Sequence, residues 1–311
     1  MLDQRSSDRQ PNTETRFRWD GKWARMTTIV PGSSTQALAA ELAAELDAAL
    51  TVPSYDRFAD GETLAAIPAF DDNEAVIVAS TATNDAHVEL LQLQDAAREA
   101  GAETVTTVIP YLGYARQDKS FQPGQPVSVR ATAQAISTGT DRVLLVEPHE
   151  PAVAEFFTVS TDIVGAADRL AGALVGLSDP LFVAPDEGAV ELATTTRDAY
   201  GEGTVDYFEK DRDYETGEIE LTPSDAPVDG RDVVVVDDII ATGGTMSGAI
   251  EVLDDRGADR VFAVCVHPVL AEAALTRLSA AGAERVVGTD TLERAVSEVS
   301  VAPAIAPLLA D

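Results

Sequence analysis

Four consecutive valines, residues 233–236, run into two adjacent aspartates, Asp237 and Asp238, and then into Thr242-Gly-Gly-Thr245. Such a strand is buried on both faces, and its C-terminal edge is where open α/β sheets place ligands. Side-by-side carboxylates at that edge are costly unless they bind hydroxyls or cations. Ala241, Thr242, Gly243, Gly244 and Thr245 then offer backbone N–H groups with little side chain in the way, before a helix expected to open near Ser247. That combination is a phosphate cradle. Hydroxyls held at the acidic end and a phosphate at the glycine end suit a ribose 5-phosphate unit. No Gly-Lys-Ser/Thr follows the glycines, so this is not the nucleotide P-loop.

Other segments carry complementary chemistry. In Tyr114-Ala-Arg-Gln-Asp118, Arg116 offers a planar fork to phosphate, Gln117 can read a base or ribose edge, and Lys119 adds a point charge. Lys210 and Arg212 stand two apart in an extended polar stretch, which puts them on the same side of the chain. With residues 214–218 they suit a mobile hairpin lid that meets transferred charge and excludes water. After Met26 only Lys119 and Lys210 remain against 14 arginines, so Lys210 is no solubility ornament. His149 ends a strand in Val146-Glu-Pro-His-Glu150. His87 reads as helix surface and His267 as a structural residue closing a core strand. The single cysteine, Cys265, reads as a buried hydrophobe and excludes an internal disulfide or multi-thiolate metal site.

The elements that must position these groups alternate in type. Short β-branched runs are expected as strands at 27–30, 75–80, 104–110, 142–147, 181–184, 205–209, 233–236 and 260–266. Ala- and Leu-rich stretches at 34–50, 85–100, 129–137 and 248–256 are expected as helices. Helix, Gly-Ala and strand recur at 96–109 and 253–266, an internal echo of two similar units. The fold class is therefore α/β, two tandem domains each with a mainly parallel sheet flanked by helices. Their expected extents are 26–165 and 166–311, with the last residues packing on the first domain. Residues 1–25 carry six basic and four acidic residues, unlike the rest, and read as a disordered extension.

The cradle segment resembles the phosphoribosyl-pyrophosphate loop of type I phosphoribosyltransferases. From about Met26 onward the chain resembles the ribose-phosphate pyrophosphokinases, and their halophilic archaeal branch in particular. The motifs carrying this are Tyr114-Ala-Arg-Gln-Asp118, Phe58-Ala-Asp-Gly-Glu62, Pro185-Asp-Glu-Gly188 and Ser300-Val-Ala-Pro303. The resemblance implies transfer of the β,γ-diphosphoryl group of Mg-ATP to the 1-hydroxyl of ribose 5-phosphate. By resemblance, Phe58, Asp60, Gly61 and Glu62 bind ATP with Arg116 and Gln117, and His149 and Asp186 contact the Mg²⁺ nucleotide. Lys210 and Arg212 are implied to be catalytic. Arg212, Asp237, Asp238 and residues 241–245 are implied to hold ribose 5-phosphate. Dimers or hexamers of identical chains are implied as well. Two positions depart from the family pattern: Glu147-Pro148-His149 stands where Asp-Leu-His is common, and Glu191 where a basic residue is common. The alternatives are a phosphoribosyltransferase and a non-catalytic regulatory paralogue; the latter tends to lose the lysine that is present here at 210.

Composition narrows the partners. The chain has 311 residues, with 53 acidic against 22 basic side chains and a net charge of −31. That sign argues against nucleic-acid and anionic-membrane partners, and no apolar run approaches the roughly 18 residues of a membrane span. It fits a cytoplasm with molar salt, where a Debye length of about 3 Å screens the self-repulsion.

Overall fold

The computed structural model describes residues 27–68, 72–212, 219–222 and 226–310. Ahead of them it describes two short strands, Arg18–Trp19 (β1) and Lys22–Trp23 (β2), paired antiparallel. For residues 210–212 and 219–222 the backbone alone is described. The expectation for residues 1–25 otherwise lies outside the described residues.

The first domain begins with Thr27–Pro31 (β3), whose burial on both faces follows from its lack of charged residues. Gln36–Leu46 (α1) follows, ending where Asp47 turns left-handed at φ 50°. The helix expected over 34–50 is therefore shorter, and Ala49–Leu50 (β4) instead extends the sheet edge beside β3. An antiparallel hairpin of Ser54–Arg57 (β5) and Thr63–Ala66 (β6) comes next. Glu74–Val78 (β7), Asn84–Glu99 (α2), Thr104–Ile109 (β8), Ser128–Ser137 (α3), Arg142–Val146 (β9) and Ser160–Val164 (β10) complete the unit. Its sheet is parallel throughout, in the order β10-β9-β8-β7-β3-β4.

The second domain repeats the plan. Leu181–Ala184 (β11), Val190–Tyr200 (α4) and Thr204–Tyr207 (β12) precede a hairpin of Glu209–Arg212 (β13) and Ile219–Thr222 (β14). Asp232–Ile239 (β15), Gly244–Asp255 (α5), Arg260–His267 (β16), Ala274–Ala280 (α6), Ala283–Thr289 (β17) and Ser297–Val299 (β18) follow. The sheet order is β18-β17-β16-β15-β11-β12, again parallel, so each strand has a counterpart in the first domain. The echoed segments occupy equivalent places, β7-α2-β8 and β15-α5-β16. Parallel pairing buries both faces, which is why the valine runs carry no polar alternation.

Ala302–Ala310 (α7) returns to pack against α1. Leu38 and Leu42 of α1 and Ile305 of α7 are fully buried in one apolar cluster that also holds Phe182, Val234 and Val264 of the second sheet. Each such side chain contributes about 1.5–3 kcal/mol by leaving water. The two sheets thus share a core, which fixes the facing edges where the site lies.

Candidate active site

The C-terminal edges of β9 and β15 face each other across a cavity of 860 Å³. Its floor is the cradle. β15 carries Asp237 and Asp238 to the sheet edge, Ala241 and Thr242 turn the chain, and Gly243 at φ 77° caps α5. Only glycine adopts that backbone cheaply, although a methyl would fit the space, with 3.5 Å to its nearest neighbours. The helix opens at Gly244, three residues before the expected Ser247, so Gly244 and Thr245 are its first turn and their N–H groups are unpaired within the helix. Arg277 braces the turn by donating to the Thr242 carbonyl at 2.5 Å. Ala241, Thr242, Gly243, Gly244 and Thr245 all line the cavity, as expected for a phosphate cradle.

Opposite lie Arg116 and the loop after β9, with Glu147 and His149, and Asp186 joins from the turn after β11. His149 Nδ1 lies 2.6 Å from Asp238 Oδ2, a contact between the domains. That bond raises the imidazole pKa above its ordinary value, against the opposing effect of burial. For Asp238, burial pushes upward but the bond and charge of His149 outweigh it, leaving the carboxyl below its usual range. Asp237 is pushed well above the usual range, first by burial and then by the Asp238 charge beside it. One aspartate of the pair is thus poised to take up a proton or a cation while the other stays ionised. Asp186 caps its own turn by accepting the Gly188 N–H at 3.1 Å.

The departures from the family pattern are explained in part. Glu147 has left-handed backbone at φ 41°, and its carboxylate accepts the N–H of Ala166 at 2.7 Å, both residues lining the cavity. Burial raises its pKa, and Asp238 and Glu191 add to the rise. Glu191 lines the cavity, where Arg116 is the one lysine or arginine among the described lining residues.

Among the described residues, Phe58, Asp60, Gly61, Glu62 and Gln117 do not line this cavity. Phe58, Asp60, Gly61 and Glu62 form the turn of the β5–β6 hairpin, closed by Phe58 N–H to the Glu62 carbonyl at 2.8 Å. Phe58 is 51% exposed there, and none of the four lines the cavity. Gln117 spends its side-chain oxygen on the Ser128 hydroxyl at the start of α3. Lys210 and Arg212 lie two residues apart on β13; their side chains, and the segment 214–218 expected as a lid, lie outside the described residues. His87 is not simple helix surface: it is half-buried against Tyr114, with ring centroids 5.4 Å apart. Sequence reasoning missed the buried Tyr111, whose ring packs on His267, and the position of His267 between the domains.

Among the described residues carboxylates outnumber cations around the cavity, which suits it to metal ions. Among the described residues no three His, Cys, Asp or Glu are arranged to hold an ion by themselves. Hard oxygen donors one or two at a time suit an ion that arrives with substrate phosphates, the habit of Mg²⁺. Among the described residues no helix is long and apolar enough to cross a membrane.

Comparison with known proteins agrees with this arrangement. Residues 27–139 match the model of the N-terminal domain of ribose phosphate pyrophosphokinase, and residues 160–298 match the phosphoribosyl transferase domain. A ribose-phosphate pyrophosphokinase of Halobacterium salinarum is 57% identical over 283 residues, covering 90% of this chain and 100% of the relative. One from Methanopyrus kandleri is 42% identical, covering 86% of this chain and 94% of the relative. The crystal structure of phosphoribosylpyrophosphate synthetase from Mycobacterium smegmatis superposes with a TM-score of 0.75 at 29% identity, covering 91% of this chain and 97% of that one. With the cradle on one sheet edge, the arginine and histidine loops on the other and both domain models matched in tandem, the chain belongs to the ribose-phosphate pyrophosphokinase family.

Proposed function

We propose that the chain transfers the β,γ-diphosphoryl group of Mg-ATP to the 1-hydroxyl of ribose 5-phosphate, releasing AMP and phosphoribosyl pyrophosphate. The observation that carries this reading is the single cavity in which the cradle of one domain faces Arg116 and His149 of the other. A phosphoribosyltransferase would need the cradle alone. The 5-phosphate sits on the N–H groups of residues 241–245, and Asp237 and Asp238 take the ribose hydroxyls. Arg116 grips the nucleotide phosphates, and Asp186 and His149 hold the magnesium nucleotide. Bound Mg²⁺ neutralises phosphate charge.

The 1-hydroxyl attacks the β-phosphorus in line with the departing AMP oxygen, so positioning and charge stabilisation supply most of the catalysis. Lys210 and Arg212 on β13 meet the charge that develops on the transferred group. Phe58, Asp60, Gly61 and Glu62 do not line the same chain's cavity, so they serve the nucleotide of a second copy in a homo-oligomer. The regulatory-paralogue reading loses ground because Lys210 is in place. The acidic composition supports a salt-rich cytoplasm as the protein's location.

The test mixes purified protein, Mg-ATP and ribose 5-phosphate in molar KCl. AMP should appear in equimolar amount with phosphoribosyl pyrophosphate and only when both substrates are present. AMP release without ribose 5-phosphate, or none with it, refutes the proposal.

A further inference from the structure

We infer that His267 is a positioning residue for the transfer, locking the cradle of the second domain in register with the nucleotide-side loops of the first. The inference rests on the function proposed above. His267 ends β16 directly beside the cradle strand: it pairs with Ile239, and its carbonyl accepts the N–H of Ile240 at 3.2 Å. Its side chain, 1% exposed, crosses to the first domain. Nε2 lies 2.8 Å from the Glu147 carbonyl oxygen, which can only accept, so Nε2 carries the proton and donates. Nδ1 lies 2.9 Å from the Thr291 hydroxyl, which fixes the plane of the ring. Thr291 is itself a bridge, because its carbonyl accepts the Ser80 hydroxyl at 2.5 Å and Ser80 Oγ accepts the Tyr111 N–H at 3.1 Å. The Tyr111 ring meets His267 edge-on at 5.2 Å. One residue therefore joins the strand that leads into the cradle, through its backbone, to the loop of Glu147 and His149 and the strand exit that leads to Arg116, through its ring.

The Glu147 contact matters because that residue is held in left-handed backbone, a conformation costly for a long side chain. Three bonds hold it: its N–H to the Val164 carbonyl at 2.9 Å, its carboxylate to the Ala166 N–H, and its carbonyl to His267. Two residues on, His149 reaches back to Asp238 beside the cradle. The domains are thus joined by a closed circuit, from His267 through Glu147 and His149 to Asp238 and back through the β15–β16 pairing. Opening the circuit at His267 frees the strained peptide and misaligns His149 against the cradle. Each substrate still finds its own half of the cavity, but the two halves lose their alignment.

Two amide substitutions separate this role from simple core packing. The glutamine nitrogen in His267→Gln stands as far along the side chain as Nε2 and reaches Glu147; the asparagine nitrogen in His267→Asn matches Nδ1 and does not. Both lose the ring, so their melting temperatures should fall together. We expect His267→Gln to keep kcat within about fivefold of wild type and His267→Asn to lower it about 30-fold, the scale set by misplacement of about an ångström, with both KM values within about threefold. Equal kcat values for the two folded variants, or losses that track melting temperature instead of reach, overturn the inference. If His267→Asn does not fold, Thr291→Val tests the same circuit by freeing the ring to tilt: a drop in kcat of about tenfold at unchanged KM is expected, and unchanged kcat overturns it. Absence of AMP formation by the wild type counts against the proposed function instead, and is read before any variant.

Discussion

Glu147→Asp restores the shorter acid common in the family, and the structure predicts that it harms this chain. The change draws the carboxylate back by about 1.5 Å, one carbon–carbon bond. Oε2 now stands 2.7 Å from the Ala166 nitrogen, so the shorter side chain falls out of hydrogen-bond range. Ala166 is fully buried, and its N–H would be left without water or partner. An orphaned buried donor costs about 1–3 kcal/mol and the lost methylene about 0.8 kcal/mol. Aspartate accepts left-handed backbone more readily than glutamate, which offsets part of this. A net loss of about 2 kcal/mol corresponds to a melting temperature lowered by about 4–8 °C in a domain of this size. Glu147→Gln keeps the acceptor but removes a charge that sits near Asp238 and Glu191. The Glu147 carboxyl is raised, chiefly by burial, so the folded state favours its protonated form. Its contribution to stability is therefore present below the ordinary carboxylate range and lost as pH rises through the raised value. Glutamine removes that loss and should melt at or above wild type at neutral pH. Thermal unfolding in molar KCl decides the matter: an aspartate variant as stable as wild type, or a glutamine variant less stable than the aspartate one, refutes the reasoning.

Three further outcomes are expected. Lys210→Ala should lower kcat by on the order of 100-fold or more with an unchanged circular dichroism spectrum, the loss typical of a missing transition-state charge partner; a near-normal rate removes Lys210 from the mechanism. Proton NMR of the three histidines in metal-free buffer should show one imidazole, His149, titrating above the ordinary range, and two, His87 and His267, below it because burial disfavours their charged form. Because the folded His149 pKa is raised, its stabilisation is complete below the ordinary imidazole value and fades as pH rises through the folded value. Asp238→Asn should bring the high titration down, and no movement would dissolve the pair. Melting temperature should rise steeply with KCl as the net charge of −31 is screened, and a flat salt response contradicts the salt-adapted reading.

Much of the fold was legible because parallel strands buried on both faces leave an unmistakable mark: residues 233–236 and 181–184 fall inside β15 and β11. The β5–β6 hairpin was not legible, since Ser-Tyr-Asp-Arg is largely solvent-exposed and has no apolar face to advertise it. Helix ends were blurred where Ala and Leu continue past the stop, as at Asp47, whose left-handed turn leaves no strong sequence signal. The cradle was readable as a unit because Asp237 to Thr245 is one continuous stretch serving one ligand. His267 was not, because its meaning depends on Glu147, 120 residues away, arriving at the same point. Phe58 shows the converse. Its motif carries the family resemblance, but within one chain it stands away from the cavity.

The return of α7 onto α1 has a consequence for biosynthesis. Leu38 and Leu42 leave the ribosome long before Ile305, which covers them. At about 5–20 residues per second the interval is on the order of tens of seconds, during which a growing chain carries a sticky helical face with nothing to seal it. α1 is consequently a ward of a helix made much later, and nascent-chain chaperones are most needed in the interval between them.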